Sequence, residues 1–415
     1  MYLHSAFSPD GTLLAVTGWA DDHQTYVPIE PGSKEYRVEE MTGPERKSHV
    51  FVWDVRTGSQ QAHWEADPIE KAVLAPDGMT LATAHNYRVC LRDLLTGLVQ
   101  KTFLENLSLK YSPGFWEFAF SSNGCRLAVT LEGSDNPGGA YALDLVADSA
   151  VMPLYTTDEG EPFDFRSVLH CRFLSGDRLL VGTGYTYDAE DYVYLWDVTT
   201  GKKLLTFRGD DPKYEGEAGQ PIILSPDGTL LVLVPEDLIG TASVWKLTEQ
   251  EGAYFWQEQG TFGGDLHATC LGKFSPSGRL FAAPETEGAD FNGDVPAAST
   301  MTLWEMPSGK ERVSFTVLGR CYCWAFAPNG ETFAALSGMP EGNYWGDVPE
   351  YLLHLWDTET GAERAVLRTE NRKTNLLSHE PRNARFSPDG FHLVVSHLRH
   401  VELWDLTSIL DADGR

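Results

Sequence analysis

The sequence predicts an all-β fold of repeated four-stranded antiparallel units. Three observations predict it. A short turn segment recurs eight times along 415 residues; an aromatic–acidic pair or its relic follows each copy; and the apolar runs between them are of strand length, not helix length.

The turn segment reads Phe7-Ser-Pro-Asp-Gly11, Leu74-Ala-Pro-Asp-Gly78, Phe120-Ser-Ser-Asn-Gly124 and, degenerately, Phe173-Leu-Ser-Gly-Asp177. It continues as Leu224-Ser-Pro-Asp-Gly228, Phe274-Ser-Pro-Ser-Gly278, Phe326-Ala-Pro-Asn-Gly330 and Phe386-Ser-Pro-Asp-Gly390. Pro presets φ at the second turn position, Asp or Asn tolerates the bridge region, and Gly takes positive φ without a Cβ clash. Gly176 is the expected turn glycine of the degenerate copy. Runs such as Leu13-Leu-Ala-Val16, Leu230-Leu-Val-Leu-Val234 and Leu393-Val-Val395 follow these turns and are apolar on both faces, as strands between neighbouring sheets must be.

A second apolar run then ends in Trp53-Asp54, Trp196-Asp197, Trp304-Glu305, Trp356-Asp357 or Trp404-Asp405, or in the relics Arg92-Asp93, Leu143-Asp144 and Trp245-Lys246. A Thr-Gly or Ser-Gly turn follows several of them, at Thr57-Gly58, Thr96-Gly97, Thr200-Gly201, Ser308-Gly309 and Thr360-Gly361. The period is strand, Asp-Gly turn, strand, loop, strand, Thr-Gly turn, strand, with Trp as a wedge between adjacent sheets.

On these residues the chain resembles a WD-repeat β-propeller over nearly its whole length, and is similar to the bacterial members with repeated Ser-Pro-Asp-Gly turns. The resemblance implies a single β-propeller, residues 1–415, of about eight four-stranded blades, with seven as the runner-up. Family members often carry a Gly-His pair belonging to a hydrogen-bonded tetrad. No Gly-His precedes any copy here, so blade cohesion is expected to rest on apolar burial. The chain leaves little room for an outer strand after Asp405, so residues 406–415 read as a C-terminal tail and the last blade as thin.

Extra length concentrates between second and third strands. Blade one has the longest insertion, residues 19–49, and blades four, six and seven carry Gly184 to Tyr192, Pro284 to Thr300 and Gly338 to Tyr351. In an antiparallel meander these connections emerge at the end of the blade opposite the short turns, and loops on a rigid scaffold are where function concentrates. The last three hold Asp188, Glu190, Asp191, Asp290, Asp294 and Asp347 among their carboxylates, Tyr185, Tyr187, Tyr192, Tyr344 and Trp345 among their aromatics, and no Lys or Arg. Trp19, Asp21 and Asp22 add to both sets, while Lys34, Arg37, Arg46 and Lys47 dilute the charge of blade one. Carboxylates beside aromatic rings suit a cationic guest through charge pairing and cation–π attraction.

Composition narrows the partner. With 60 acidic against 32 basic residues the net charge is -28, which argues against nucleic acid or an anionic membrane. No signal peptide is visible, no run approaches the ~18 apolar residues of a membrane helix, and the scattered cysteines fit a reducing cytoplasm. Cys321 and Cys323 are expected to share a face of one strand. Asp290-Phe-Asn-Gly-Asp294 is a partial calcium loop without its closing Glu, His379-Glu380 is not a zinc helix because Pro381 follows, and no metal or cofactor is expected. Arg172, Lys273 and Arg385 share one register and are each expected to pair with a carboxylate.

The expected function is a non-enzymatic, monomeric interaction scaffold that docks a cationic peptide or protein segment on its acidic, aromatic loop face. The alternative is a propeller-type hydrolase or lyase with a site at the channel mouth. A structural role in an assembly is expected to show as an apolar patch at the plain turn end.

Overall fold

The computed structural model of the protein describes residues 4–19, 25–28, 35–39, 47–85, 88–104, 115–131, 139–147, 151–154, 165–186, 191–208, 222–234, 241–263, 272–285, 298–338, 351–368, 381–397 and 401–410. These residues form eight antiparallel sheets. With strands lettered a to d in chain order, blade one is His4–Phe7, Leu13–Trp19, Ser48–Asp54 and Gln60–Ala66; blade two Lys71–Leu74, Thr80–His85, Arg88–Asp93 and Val99–Phe103. Blade three is Phe115–Phe120, Arg126–Leu131, Gly139–Asp144 and Val151–Leu154; blade four Phe165–Phe173, Leu179–Thr186, Asp191–Asp197 and Lys202–Arg208. Blade five is Ile222–Leu224, Leu230–Leu233, Ala242–Gln250 and Ala253–Phe262; blade six Lys273–Phe274, Leu280–Glu285, Ala298–Glu305 and Lys310–Leu318. Blade seven is Arg320–Phe326, Thr332–Gly338, Tyr351–Asp357 and Glu363–Arg368, and blade eight contributes Pro381–Phe386, His392–His397 and Val401–Asp405. The chain divides into two compact units, one of residues 1–61, 238–241 and 262–415, the other of residues 62–237 and 242–261.

Blade eight departs from the thin blade expected. Its fourth strand comes from blade one: the insertion folds into a hairpin, Thr25–Pro28 with Glu35–Glu39, whose second strand pairs with Val401–Asp405 through Val401↔Tyr36 and Glu402↔Glu35. Part of the segment expected as a tail belongs to the core. Leu406 is fully buried, a short helix Thr407–Leu410 follows, and Ile409 and Leu410 pack on the apolar cluster of blades seven and eight.

The Ser-Pro-Asp-Gly turn has a chemical reason beyond φ. Ser225 is buried; its hydroxyl donates to Asp227 Oδ1 at 2.6 Å and accepts from Leu230 N at 2.9 Å. Ser8 does the same with Asp10 and Leu13 N, and Ser387 with Asp389 and His392 N. A buried hydroxyl thus satisfies a strand amide while an acidic side chain satisfies the hydroxyl.

The degenerate turn corrects the expectation for Gly176. Asp177, not Gly176, stands where glycine stands elsewhere, because its amide donates to Leu174 O as the Gly228 amide does to Ser225 O. Asp177 has φ of 54°, and its carboxylate accepts from Ser122 N, Ser122 Oγ and Asn123 N of blade three. An Asp can occupy the left-handed region at modest cost, and these inter-blade bonds offset it.

The aspartate at the end of the third strand caps the next turn in several blades. Asp54 Oδ1 accepts from Thr57 N and Oγ1, both at 2.8 Å, and Asp93 with Thr96 and Asp357 with Thr360 repeat the arrangement. In blade four, burial works against the Asp197 carboxylate, but hydrogen bonds from Arg178 and Thr199 outweigh it and hold the group at about 2. A depressed folded value stabilises the fold above the unfolded value of ~3.9 and loses that contribution as pH falls through the folded one. Asp197→Asn is therefore expected to lower the melting temperature at pH 7, with the deficit shrinking between pH 4 and pH 2. A deficit independent of pH would show that the carboxylate charge is not what stabilises this turn.

The tryptophans wedge adjacent blades as expected. Trp53, Trp196, Trp304 and Trp356 are all buried. In three places the outer-strand aromatic of one blade meets the tryptophan of the next: Phe207 with Trp245 at 4.9 Å, Phe262 with Trp304 at 5.0 Å, and Phe315 with Trp356 at 4.7 Å between ring centres. Polar ties also cross single sheets, as in Arg92 Nε to Thr83 Oγ1 at 3.2 Å and Thr302 Oγ1 with Ser314 Oγ at 2.9 Å. In blade seven Ser337 Oγ meets His354 Nε2 at 3.2 Å and His354 Nδ1 meets Glu363 Oε1 at 2.9 Å.

Cys321 and Cys323 do not share a face. A bulge between them shifts the register, pairing Cys321 with Ser337 and Cys323 with Leu336. Cys323 accordingly packs among the residues of blades seven and eight, and Cys321 among those of blades six and seven.

Candidate functional site

The candidate site lies where second strands lead into third strands. In blade four the strands run further than the sequence suggests: Tyr185 pairs with Asp191 and Gly184 with Tyr192, so these three candidates stand on strand ends, not in a loop. Trp19 likewise ends the second strand of blade one, opposite Ser48. In blade six the last pair is Glu285↔Thr300, and in blade seven it is Gly338↔Tyr351. Asp21, Asp22, Tyr187, Asp188, Glu190, Asp290, Asp294, Tyr344, Trp345 and Asp347 lie outside the described residues. The strands therefore fix the ends from which these connections depart.

At the base of the blade seven connection stands a group that sequence reasoning missed. Tyr351 is buried and meets Tyr322 edge-on at 5.3 Å, with His397 of blade eight 6.2 Å away. The exposed Arg320 holds its guanidinium 5.6 Å from the Tyr322 ring centre. His397 Nε2 in turn lies 3.6 Å from Glu402 Oε2. The base thus already holds a cation on an aromatic ring. Nothing in the local pattern Arg320-Cys-Tyr-Cys323 announces this, because the bulge sets which side chains reach the strand end.

Two of the three cations of shared register behave differently. Arg172 lies 3.6 Å from Glu117, which also faces Lys71 at 3.8 Å, so an ion-paired row joins the inner strands of blades two, three and four. Lys273 departs from the expectation. Its ammonium donates to Trp324 O at 2.9 Å and Asn383 Oδ1 at 3.2 Å and lies 5.7 Å from the Trp324 ring centre, with no carboxylate partner among the described residues. Burial, and after it the Arg385 charge, lower its affinity for the proton. The site was legible as a shared register, but its carbonyl and amide partners sit on two other blades.

The described residues bring no group of three or more His, Cys, Asp or Glu side chains together in a way that could hold a metal ion. Burial pushes the thiols of Cys171 and Cys323 up to about 12, which leaves them protonated and poor nucleophiles at neutral pH. No helix among the described residues is long and apolar enough to cross a membrane.

No protein-family model matches the chain, and no curated protein matches it. Solved structures do. The chain is similar to the C-terminal WD40 domain of Sif2 at 11% identity and a TM-score of 0.58, over 96% of this chain and 94% of that one. It is similar to the Dos1 propeller at 13% identity and a TM-score of 0.54, over 97% and 91% of the two chains. A eukaryotic initiation factor matches at 12% identity and a TM-score of 0.51, over 89% and 88%. At these identities the likeness concerns the fold alone, and it settles that question: the chain has the WD40 β-propeller fold, in eight blades.

Proposed function

We propose that the protein is a non-enzymatic interaction scaffold, monomeric and cytoplasmic, that docks a basic segment of another protein on its acidic, aromatic b–c connections. The observation that carries this reading is that the connections of blades four, six and seven hold carboxylates and aromatic rings but no Lys or Arg. The paired strand ends at Tyr185↔Asp191, Glu285↔Thr300 and Gly338↔Tyr351 support it, since fixed ends reduce the ordering entropy lost on binding. So does Arg320 on Tyr322, an internal instance of the recognition proposed. The same turn chemistry favours a kinship with bacterial WD-repeat proteins rich in Ser-Pro-Asp-Gly.

The test is a titration of a labelled lysine- and arginine-rich peptide against the wild type and the triple variant Asp188→Asn, Glu190→Gln, Asp191→Asn. Removing three charges should weaken binding by roughly tenfold or more at low salt, and raised salt should mimic the loss. Affinity unchanged by both would overturn the docking reading.

A further inference from the structure

The repeat supplies its own control for what the turns need. After the third strand, blade one reads Arg56-Thr-Gly-Ser-Gln60, blade four Thr199-Thr-Gly-Lys-Lys203, blade six Pro307-Ser-Gly-Lys-Glu311 and blade seven Glu359-Thr-Gly-Ala-Glu363. Blade two reads Leu95-Thr-Gly-Leu-Val99 at the same positions, and blade three has Val146 in its corresponding turn. The fold does not require these apolar residues, because other blades make the same turn with polar ones. Nor are they buried: Leu98 is 69% exposed and Val146 75%, and Leu95, Val99 and Met79 are exposed beside them.

These side chains stand on neighbouring, firmly held turns. Leu94 N donates to Met79 O at 2.8 Å, which sets Met79 against the blade two turn. Lys101 Nζ donates to Leu145 O and Ala147 O, which ties the blade two outer strand to the turn that carries Val146. Trp64 Nε1 donates to Leu94 O at 2.9 Å, and Arg92 donates to Gly97 O at 3.0 Å while lying 5.7 Å from the Trp64 ring centre. The Trp64 ring lies so close to Gly97 that an added Cβ would approach it to 2.5 Å. The apolar group is therefore presented on a rigid support, and the nearby cations Arg92, Lys101 and Arg126, the last opposite Asp144, are each engaged with carbonyls.

Its border is anionic. Asp77, Asp93 and Asp144 each accept turn amides, from Met79, Thr96 and Ala147 among others. Hydrogen bonds from Thr96 to Asp93 and from Ala147 to Asp144 hold those two carboxyls below the usual range, so the border stays charged. A second copy of this chain fits poorly, since it would bring the same carboxylates and a charge of -28 against themselves.

We propose that the turn end of blades two and three, centred on Leu95, Leu98, Val99 and Val146 and bordered by Asp77, Asp93 and Asp144, is a second docking surface, for an amphipathic segment of a partner whose apolar stripe is flanked by Lys or Arg. The apolar stripe covers the exposed side chains, and the flanking cations meet the ionised border. This surface lies at the opposite end of the blades from the b–c connections, so it stands or falls independently of them.

The experiment titrates a labelled amphipathic helical peptide of leucine and lysine, with a scrambled peptide of equal composition as control, at moderate salt. Three proteins are compared: the wild type, the double variant Leu98→Ser, Val146→Ser, and the triple variant of the blade four connection. Both double-variant positions are exposed, and an unchanged melting temperature confirms that the fold is retained. The expected result is that the wild type prefers the amphipathic peptide, that the double variant loses roughly tenfold or more in affinity, and that the triple variant keeps it. Equal affinity of the wild type and the double variant, absence of binding, or loss confined to the triple variant would each overturn the proposal. So would a dimer of the wild type, seen by light scattering, that the double variant abolishes, because the patch would then serve self-association.

Discussion

Trp356→Ala is expected to destabilise the protein by ~3–5 kcal/mol, the range for truncating a buried aromatic residue. Trp356 is 4% exposed and stacks on Phe315 of blade six at 4.7 Å, with His354 parallel to it at 5.2 Å and Phe333 at 6.1 Å. The ring thus joins two blades, and a methyl group leaves a cavity whose walls belong to separate sheets with little freedom to close. Loss of the aromatic pairing accounts for ~0.5–1.5 kcal/mol of this. Chemical denaturation gives the magnitude, and Val366→Ser, an exposed site in the same blade, is the control with an expected change within ~0.5 kcal/mol. A fully stable Trp356→Ala protein would contradict the wedge role.

Gly361→Ala is expected to cost roughly 2–5 kcal/mol although it adds one methyl group. The residue has φ of 71°, where a Cβ costs ~1–2 kcal/mol. The added carbon would also stand 2.3 Å from Val313 Cγ2 on the outer strand of blade six, and overpacking adds ~1–3 kcal/mol. The two parts separate in a double-mutant cycle. With Val313→Ala in place the contact is relieved and the strain remains, so the cycle should give a favourable coupling of at least ~0.5 kcal/mol. Zero coupling would mean that the backbone conformation alone demands glycine.

The strands and turns were legible because the interactions that define them are local. The Ser225 hydroxyl meets groups two and five residues away, and Asp54 meets Thr57 three residues on. What was not legible is set at long range. The hairpin of blade one pairs Tyr36 with Val401, and no pattern near either residue specifies that register. Asp177 looks like a damaged turn until its carboxylate is seen to accept from Ser122 and Asn123 of another blade. Residues Leu94, Leu95 and Leu98 are alike in sequence, yet Leu94 is buried and the other two are exposed, because the turn directs neighbouring side chains to opposite sides. Of the candidate site, the composition and the blades that carry it were legible. The strand-end placement of Tyr185, Asp191 and Tyr192 and the Tyr322–Tyr351 base were not, since both depend on cross-strand register and a bulge.

The b–c connections are proposed to recruit a basic partner. The most direct measurement is affinity capture from lysate of the source organism with the wild type and with the triple variant of Asp188, Glu190 and Asp191, at low and then moderate salt, with captured proteins identified by mass spectrometry. The expected result is a partner with a basic segment that is released by salt and absent from the variant's capture. A partner set insensitive to both, together with a divalent metal retained in elemental analysis of the purified protein, would contradict it and favour a metal-dependent enzyme.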